Sequence, residues 1–193
     1  MEQDTARSFH DDPNITYLDF NRAGMPLLEI VTEPEIYHPQ DGKLAVKELQ
    51  DMLKALSISD ANMEEGQMRC DVNISLYNDQ ITGNRVEIKN VLGIRFVEKA
   101  IEFEMKRQSK LLKKGQQPAF ETRRYDAVKD QTISLRLKDS NLDYRFIRDA
   151  DLPYFKISDK RIAKIKAVLD KQVIPFDKKL EMSRTYGMPI QEI

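Results

Sequence analysis

The chain has little of what several classes of protein depend on. A single cysteine, Cys70, in 193 residues excludes an internal disulfide framework and suits a reducing compartment. The two histidines, His10 and His38, form no metal-ligand spacing with each other or with Cys70, which argues against zinc. Charge is abundant but balanced, with 31 Lys and Arg against 32 Asp and Glu. The basic excess of a non-specific nucleic-acid binder is therefore missing, although a local basic surface is compatible with this balance. Tryptophan, internal repeats and a Gly-rich phosphate loop are absent, and no apolar run approaches the ~20 residues that a membrane helix needs. Residues 1–7 are acidic and have no apolar centre, unlike a secretory signal or an Arg-rich transit peptide. No Ser/His/Asp arrangement can be argued, and Cys70 alternates onto the apolar side of its segment, where it suits a core better than a nucleophile.

What is present is clear periodicity in a length that suits one domain, or one domain with a small appendage. Residues 15–20 and 27–32 read as strands, separated by the turn residues Gly24 and Pro26 and ended by Pro34. Asp41 can cap a helix over 43–56 whose Leu44, Ala45, Leu49, Met52, Leu53 and Leu56 form one stripe. Alternation is strict over 67–76 and resumes over 85–89, which predicts a hairpin with one apolar and one polar face. A long amphipathic helix over 94–113 follows, burying Phe96, Val97, Ala100, Ile101, Met105 and Leu112 and stopping at Gly115. Further strands are expected at 120–124, 132–137 and 144–147, then helices at 159–171 and 176–186. The layout is α+β, an antiparallel sheet with helices on one face, with a domain boundary near residue 157.

Candidate chemistry lies on the polar face of the hairpin. Arg69, Asp71 and Asn73 on one strand would sit near Arg85, Glu87 and Lys89 on the next, with Glu64 and Glu65 entering from the preceding loop. A solvated sheet face or a structural ion-pair network has the same appearance. Carboxylates interleaved with cations also suit phosphoryl transfer, where hard oxygens hold Mg²⁺ and Lys or Arg neutralises the transferred group. Glu29, set among Leu27, Leu28, Ile30 and Val31, must either face water or have a partner. Asn21 and Arg22 before it serve either the turn or a substrate.

Three blocks carry a resemblance. The stretch from Asp19 to Pro34, with Asn21-Arg22 ahead of Leu28-Glu29-Ile30, is the first. The run from Asn62 to Ser75 and the run Val86-Glu87-Ile88-Lys89-Asn90 follow in order. Together they resemble the GatB family, the kinase subunits of the tRNA-dependent amidotransferases. The resemblance implies a partial glutamine-synthetase-like cradle over 1–157 and the start of a helical region over 158–193. It implies ATP and Mg²⁺, used to phosphorylate the side-chain carboxylate of Glu-tRNA(Gln) or Asp-tRNA(Asn). Ammonia from glutamine, released by the amidase subunit of the complex, then completes the amide. A small third subunit joins these two.

The same resemblance implies residue roles. Glu29, Arg69, Asp71, Glu87 and Lys89 would be catalytic, and Glu29, Gln3 and Glu65 would hold the metal. Arg7, Asn73 and Arg85 would bind the nucleotide, and Arg22, Arg124 and Arg145 the aminoacyl end of the tRNA. Two departures stand out. Gln3 stands where the family has a carboxylate, and Ala6-Arg7 where it has Gly-Lys. The block from Tyr144 to Pro153 also matches, but Ile147, Arg148, Asp149 and Ala150 replace a Pro-rich centre. There Arg145 either contacts phosphate or tRNA, or pairs with Asp143 or Asp151; Arg123 and Arg124 likewise suit RNA or a carboxylate. Family chains have further segments before and after the matched stretch, so this chain by itself is expected to be inactive. Glu2-Gln3 and residues 36–39 look more like mitochondrial members, so the matrix is expected, with the bacterial cytoplasm as the alternative. A non-catalytic scaffold and an independent RNA-binding module are the rival readings.

Overall fold

The computed structural model describes residues 2–137, 154, 156–171 and 174–193. The expected strand at 144–147, and Arg145 with it, lie outside the described residues. The chain divides into two compact units, 1–35 and 36–193.

In the first unit, the short β1 (Glu2–Gln3) pairs with β4 (Pro26–Leu27). Asp4 continues that pairing through Met25 O at 2.8 Å and Gly24 N–H at 2.9 Å. Between them, β2 (Arg7–Asp12) and β3 (Ile15–Asp19) form an antiparallel hairpin. Its turn is set locally, because the Asp12 carboxylate accepts the Asn14 N–H at 2.8 Å. The strand expected over 27–32 is thus confined to Pro26–Leu27. Leu28, Ile30 and Val31 have strand-forming side chains but no ladder partner among the described residues, and β preference is realised only against a neighbour.

The second unit holds a four-stranded sheet in the order β5 (Cys70–Ile74), β6 (Val86–Val91), β7 (Glu121–Asp126), β8 (Gln131–Leu137). The overall class is α+β, but the sheet is mixed. β5/β6 and β7/β8 are antiparallel, whereas β6 and β7 run parallel. The cause is the long helix α2 (Ile94–Leu112), which returns the chain to the end of the sheet where β6 began. Gly115, at φ 71°, takes the left-handed turn that releases the chain from it.

α1 (Pro39–Ala55) packs on α2, and Val46, Met63, Ile88, Val91, Val97, Ala100 and Ile101 form the buried core between helices and sheet. The buried line of α1 is Gly42, Val46 and Gln50, not the Leu44-led stripe, and Leu44 is exposed. Close approach explains the choice, since a Cβ on Gly42 would sit 2.6 Å from Ile101 Cδ1. Gln50 turns inward because its amide donates to Ala61 O at 2.7 Å. α3 (Asp159–Leu169) and α4 (Pro175–Tyr186) follow, with Lys179 of α4 pairing Glu48 of α1 at 2.8 Å.

Further along α2 the core stripe becomes polar. Glu104 and Gln108 are fully buried, and Glu104 accepts two hydrogen bonds from Arg107 Nε, at 3.1 and 3.0 Å. Gln108 Nε2 at 2.9 Å and Thr132 Oγ1 at 2.9 Å also donate to Glu104. From β7, Arg123 donates to Glu121 at 2.6 Å and to Thr132 O at 2.8 Å, and its Nε lies 3.6 Å from Glu104. Arg107 reaches Glu121 at 3.3 Å. Two carboxylates and two guanidinia therefore form one neutral, buried network joining α2 to β7 and β8.

Arg123→Ala is expected to cost about 3–5 kcal/mol of stability in urea unfolding, because Glu104 and Glu121 would stay buried with half their counter-charge gone. A loss below about 1 kcal/mol would mean that Arg107 alone balances the network. Burial raises the Glu121 pKa, but hydrogen bonds from Ser134 and Arg123 and the charges of Arg123 and Arg107 outweigh it. The net shift is below the ordinary 4.5, so the stability it contributes is present above that value and lost as pH falls through the folded value. The stability gap between wild type and Glu121→Gln is accordingly expected to be level above pH 4.5 and to narrow below it in pH-dependent urea titrations.

Candidate active site

The polar face of β5, β6 and β7 gathers the largest group of expected site residues. Alternation sends Val72 and Ile74 towards the core and leaves Asp71 and Asn73 on the outer face. Asn73 faces Glu87, and Glu87 in turn faces Thr122 on β7. One step along, Lys89 faces Arg124. Lys89 Nζ lies 3.4 Å from Asp71 and 3.5 Å from Glu87, so one ammonium sits between two carboxylates. Partial burial lowers the Lys89 pKa, but the charges and hydrogen bonds of Asp71 and Glu87 outweigh it, and the net shift is upward. Lys89 is therefore a fixed cation, suited to neutralising an anionic group and unsuited to acting as a base.

A β-bulge aims this lysine. Val72 faces Ile88, but Cys70 faces Val91 where regular pairing would give Asn90, so β6 carries one extra residue. Asn90 absorbs it in the left-handed region, at φ 54°, and its N–H is accepted by Asp71 Oδ1 at 2.8 Å. Asp71 thus holds the bulge with one oxygen and Lys89 with the other. Neither the bulge nor Asn90 was foreseeable from alternation, although an asparagine near the end of a strand is among the residues most tolerant of that conformation.

Other expected residues fall elsewhere. Arg69 precedes β5 and Arg85 precedes β6; both are exposed, and neither forms an ion pair among the described residues. Arg124 is exposed, while its neighbour Arg123 is consumed by Glu121, a carboxylate, in the buried network. Glu65 accepts from Gln67 at 3.0 Å and lines a polar recess with Gln50, Lys54, Asp60 and Asn62.

Within the first unit, Arg22 donates to Asp4 at 2.8 Å, and Arg7 stacks over the Phe9 ring at 4.6 Å. Gln3 lies beside the Gly24 turn, and Glu29 is exposed in irregular chain. A carboxylate at Glu29 facing water needs no partner to be tolerated.

The expected donors are all oxygens, which is the chemistry of Mg²⁺, an ion that keeps several waters and needs only one or two carboxylates. Glu29 in the first unit and Glu65 in the second are carboxylates of that kind, and the Gln3 amide is a weaker oxygen donor. No group of three or more His, Cys, Asp or Glu side chains that could hold a metal occurs among the described residues. No helix there is long and apolar enough to cross a membrane.

Comparison with known proteins gives a coherent result. A family model described as the GatB/GatE catalytic domain matches residues 1–163. The B subunit of an aspartyl/glutamyl-tRNA(Asn/Gln) amidotransferase from Coxiella burnetii (strain RSA 493 / Nine Mile phase I) is 43% identical over 191 residues, covering 97% of this chain and 40% of that protein. A protein of the same name from Rickettsia rickettsii (strain Sheila Smith) is 43% identical over 190 residues, covering 95% and 39%. The chain therefore spans about two fifths of the length of these curated relatives. Both are bacterial, and the expected mitochondrial origin gains no support from them.

Burial, reinforced by the Asp71 charge, pushes the Cys70 thiol up to about 11. Its native labelling by iodoacetamide at pH 8 is expected to be ~100-fold slower than in the urea-unfolded chain, in proportion to the thiolate present. Equal rates in the two states would contradict the core assignment of Cys70.

Proposed function

The chain belongs to the GatB/GatE catalytic-domain family, and on that premise we propose that it is the kinase part of the GatB subunit of a tRNA-dependent amidotransferase. The family match over residues 1–163 carries this reading. Residues 1–157 are assigned to the cradle and 158–193 to the start of the helical region, where the helices Asp159–Leu169 and Pro175–Tyr186 lie; the family match runs slightly further, to residue 163.

The substrates are ATP and a misacylated tRNA, Glu-tRNA(Gln) or Asp-tRNA(Asn). The side-chain carboxylate of the aminoacyl group attacks the γ-phosphorus, a P–O bond forms, and ADP leaves. Ammonia, delivered from glutamine by the amidase subunit, then attacks the acyl carbon, and inorganic phosphate departs. The protein supplies no nucleophile in this scheme, in keeping with the half-buried Cys70, whose thiol pKa is raised.

Lys89, set between Asp71 and Glu87, is the cation for the transferred phosphoryl group, and Arg69 is the second. In the second unit Asn73 and Arg85 are assigned to the nucleotide and Arg124 to the aminoacyl end; the resemblance gives Arg7 the first of these roles and Arg22 and Arg145 the second. In the first unit, Glu29 with Gln3 would hold Mg²⁺, which would supply positive charge against phosphate oxygens when bound; the resemblance gives Glu65 of the second unit the same role. A small third subunit completes the complex. The bacterial relatives support a cytoplasmic setting over a mitochondrial one.

Glutamine- and ATP-dependent amidation of Glu-tRNA(Gln) tests this. The protein assembled with its amidase partner is expected to form Gln-tRNA(Gln), whereas the protein without that partner is expected to form none from glutamine. Glu29→Ala should abolish product while the complex still co-purifies. Full activity in that variant would remove Glu29 from the site. Absence of ATP-dependent product in the assembled wild type would favour a scaffold.

A further inference from the structure

Thr122 occupies an unusual position for a threonine on the outer face of this sheet. Its neighbours there, Glu87 and Arg124, are partly or fully open to solvent, yet Thr122 is 1% exposed. It faces Glu87 across the parallel β6/β7 pair, and its Oγ1 donates to Glu87 Oε2 at 3.0 Å. The other Glu87 oxygen, Oε1, lies 3.5 Å from Lys89 Nζ. Each carboxylate oxygen thus has its own cation or donor, one on β6 and one on β7, and the side chain is gripped from both sides.

A carboxylate held by one flexible ammonium can swivel about its last torsion, which is soft. A second donor on the neighbouring strand removes that freedom. The hydroxyl is suited to the task because it is itself buried, with little water to compete for its proton. Because Lys89 lies between Glu87 and Asp71, fixing Glu87 also fixes where the ammonium points.

We propose that Thr122 is a positioning residue of the kinase site, locking the Glu87 carboxylate and through it the Lys89 ammonium in the orientation needed for phosphoryl transfer. The inference rests on the proposed function, in which Glu87 and Lys89 belong to the reacting site. Thr122 itself touches neither substrate nor nucleotide in this role. A β-branched residue in a central strand is also explained by packing alone, so shape and hydroxyl must be separated.

Three variants do so in the assembled, full-length complex, assayed for ATP-dependent amidation with ATP varied. Thr122→Val keeps the branched shape and removes the hydroxyl; kcat is expected to fall ~10- to 100-fold with KM for ATP within about twofold. Thr122→Ser keeps the hydroxyl and removes the methyl; kcat should return to within about threefold of wild type even where thermal stability is lower. Glu87→Gln is the reference for the reading beneath. If Glu87→Gln retains wild-type kcat, the role of Glu87 fails and this inference falls with it. If Glu87→Gln is inactive but Thr122→Val matches wild type, only the Thr122 assignment is overturned. Loss of kcat in Thr122→Ser with retention in Thr122→Val would equally overturn it, because packing and not the hydroxyl would then matter.

Discussion

The buried network of Glu104, Arg107, Glu121 and Arg123 is the constraint on which the rest of the larger unit depends. It fixes α2 to β7 and β8 by direction as well as by contact. Apolar packing of Val97, Ala100 and Ile101 would tolerate small slides of the helix along the sheet. The forked geometry of two guanidinia on two carboxylates would not. Gln108 extends the same network to the opposite hairpin, donating to Ile74 O on β5 at 3.3 Å. One helix side thus registers both halves of the sheet.

Opposite that network, on the other sheet face, the polar row of Asn73, Glu87 and Thr122 crosses three strands. The two faces of β7 have divergent fates within three consecutive residues. Arg123 turns inward to balance buried acid, while Thr122 and Arg124 point to the outer side. The bulge at Asn90 adds the last adjustment, shifting the end of β6 so that Lys89 meets both Asp71 and Glu87. Fold and candidate chemistry are therefore set by the same few strand positions.

Much of this was legible in the residues. Alternation over 67–76 and 85–89 located the β5/β6 hairpin and its polar face, and a 3.6-residue period located α2. Both are local patterns that burial on one side imposes directly. The parallel pairing of β6 with β7 was not legible, because period-two patterns carry no strand direction. The buried network was equally hidden, since Glu104 and Gln108 continue the Val97–Ala100 stripe with polar side chains that read as a solvated face. Arg123 gave no sequence clue either, since its place beside apolar Ile88 follows only from the parallel pairing. Residues 28–32 show the opposite error, where strand-forming side chains lacked a neighbour to pair with.

The parallel seam between β6 and β7 also dictates an order of assembly. Each flanking hairpin closes over a shorter connection, but joining Glu87 to Thr122 brings together residues 35 apart in sequence, with the 19-residue helix α2 between them. The loop-closure entropy for that seam is recovered only when α2 is already seated. The polar row that crosses it therefore depends on the docking of α2 as well as on strand pairing. Amide exchange at Ile88 and Arg123 would report the integrity of the candidate site more directly than global unfolding does.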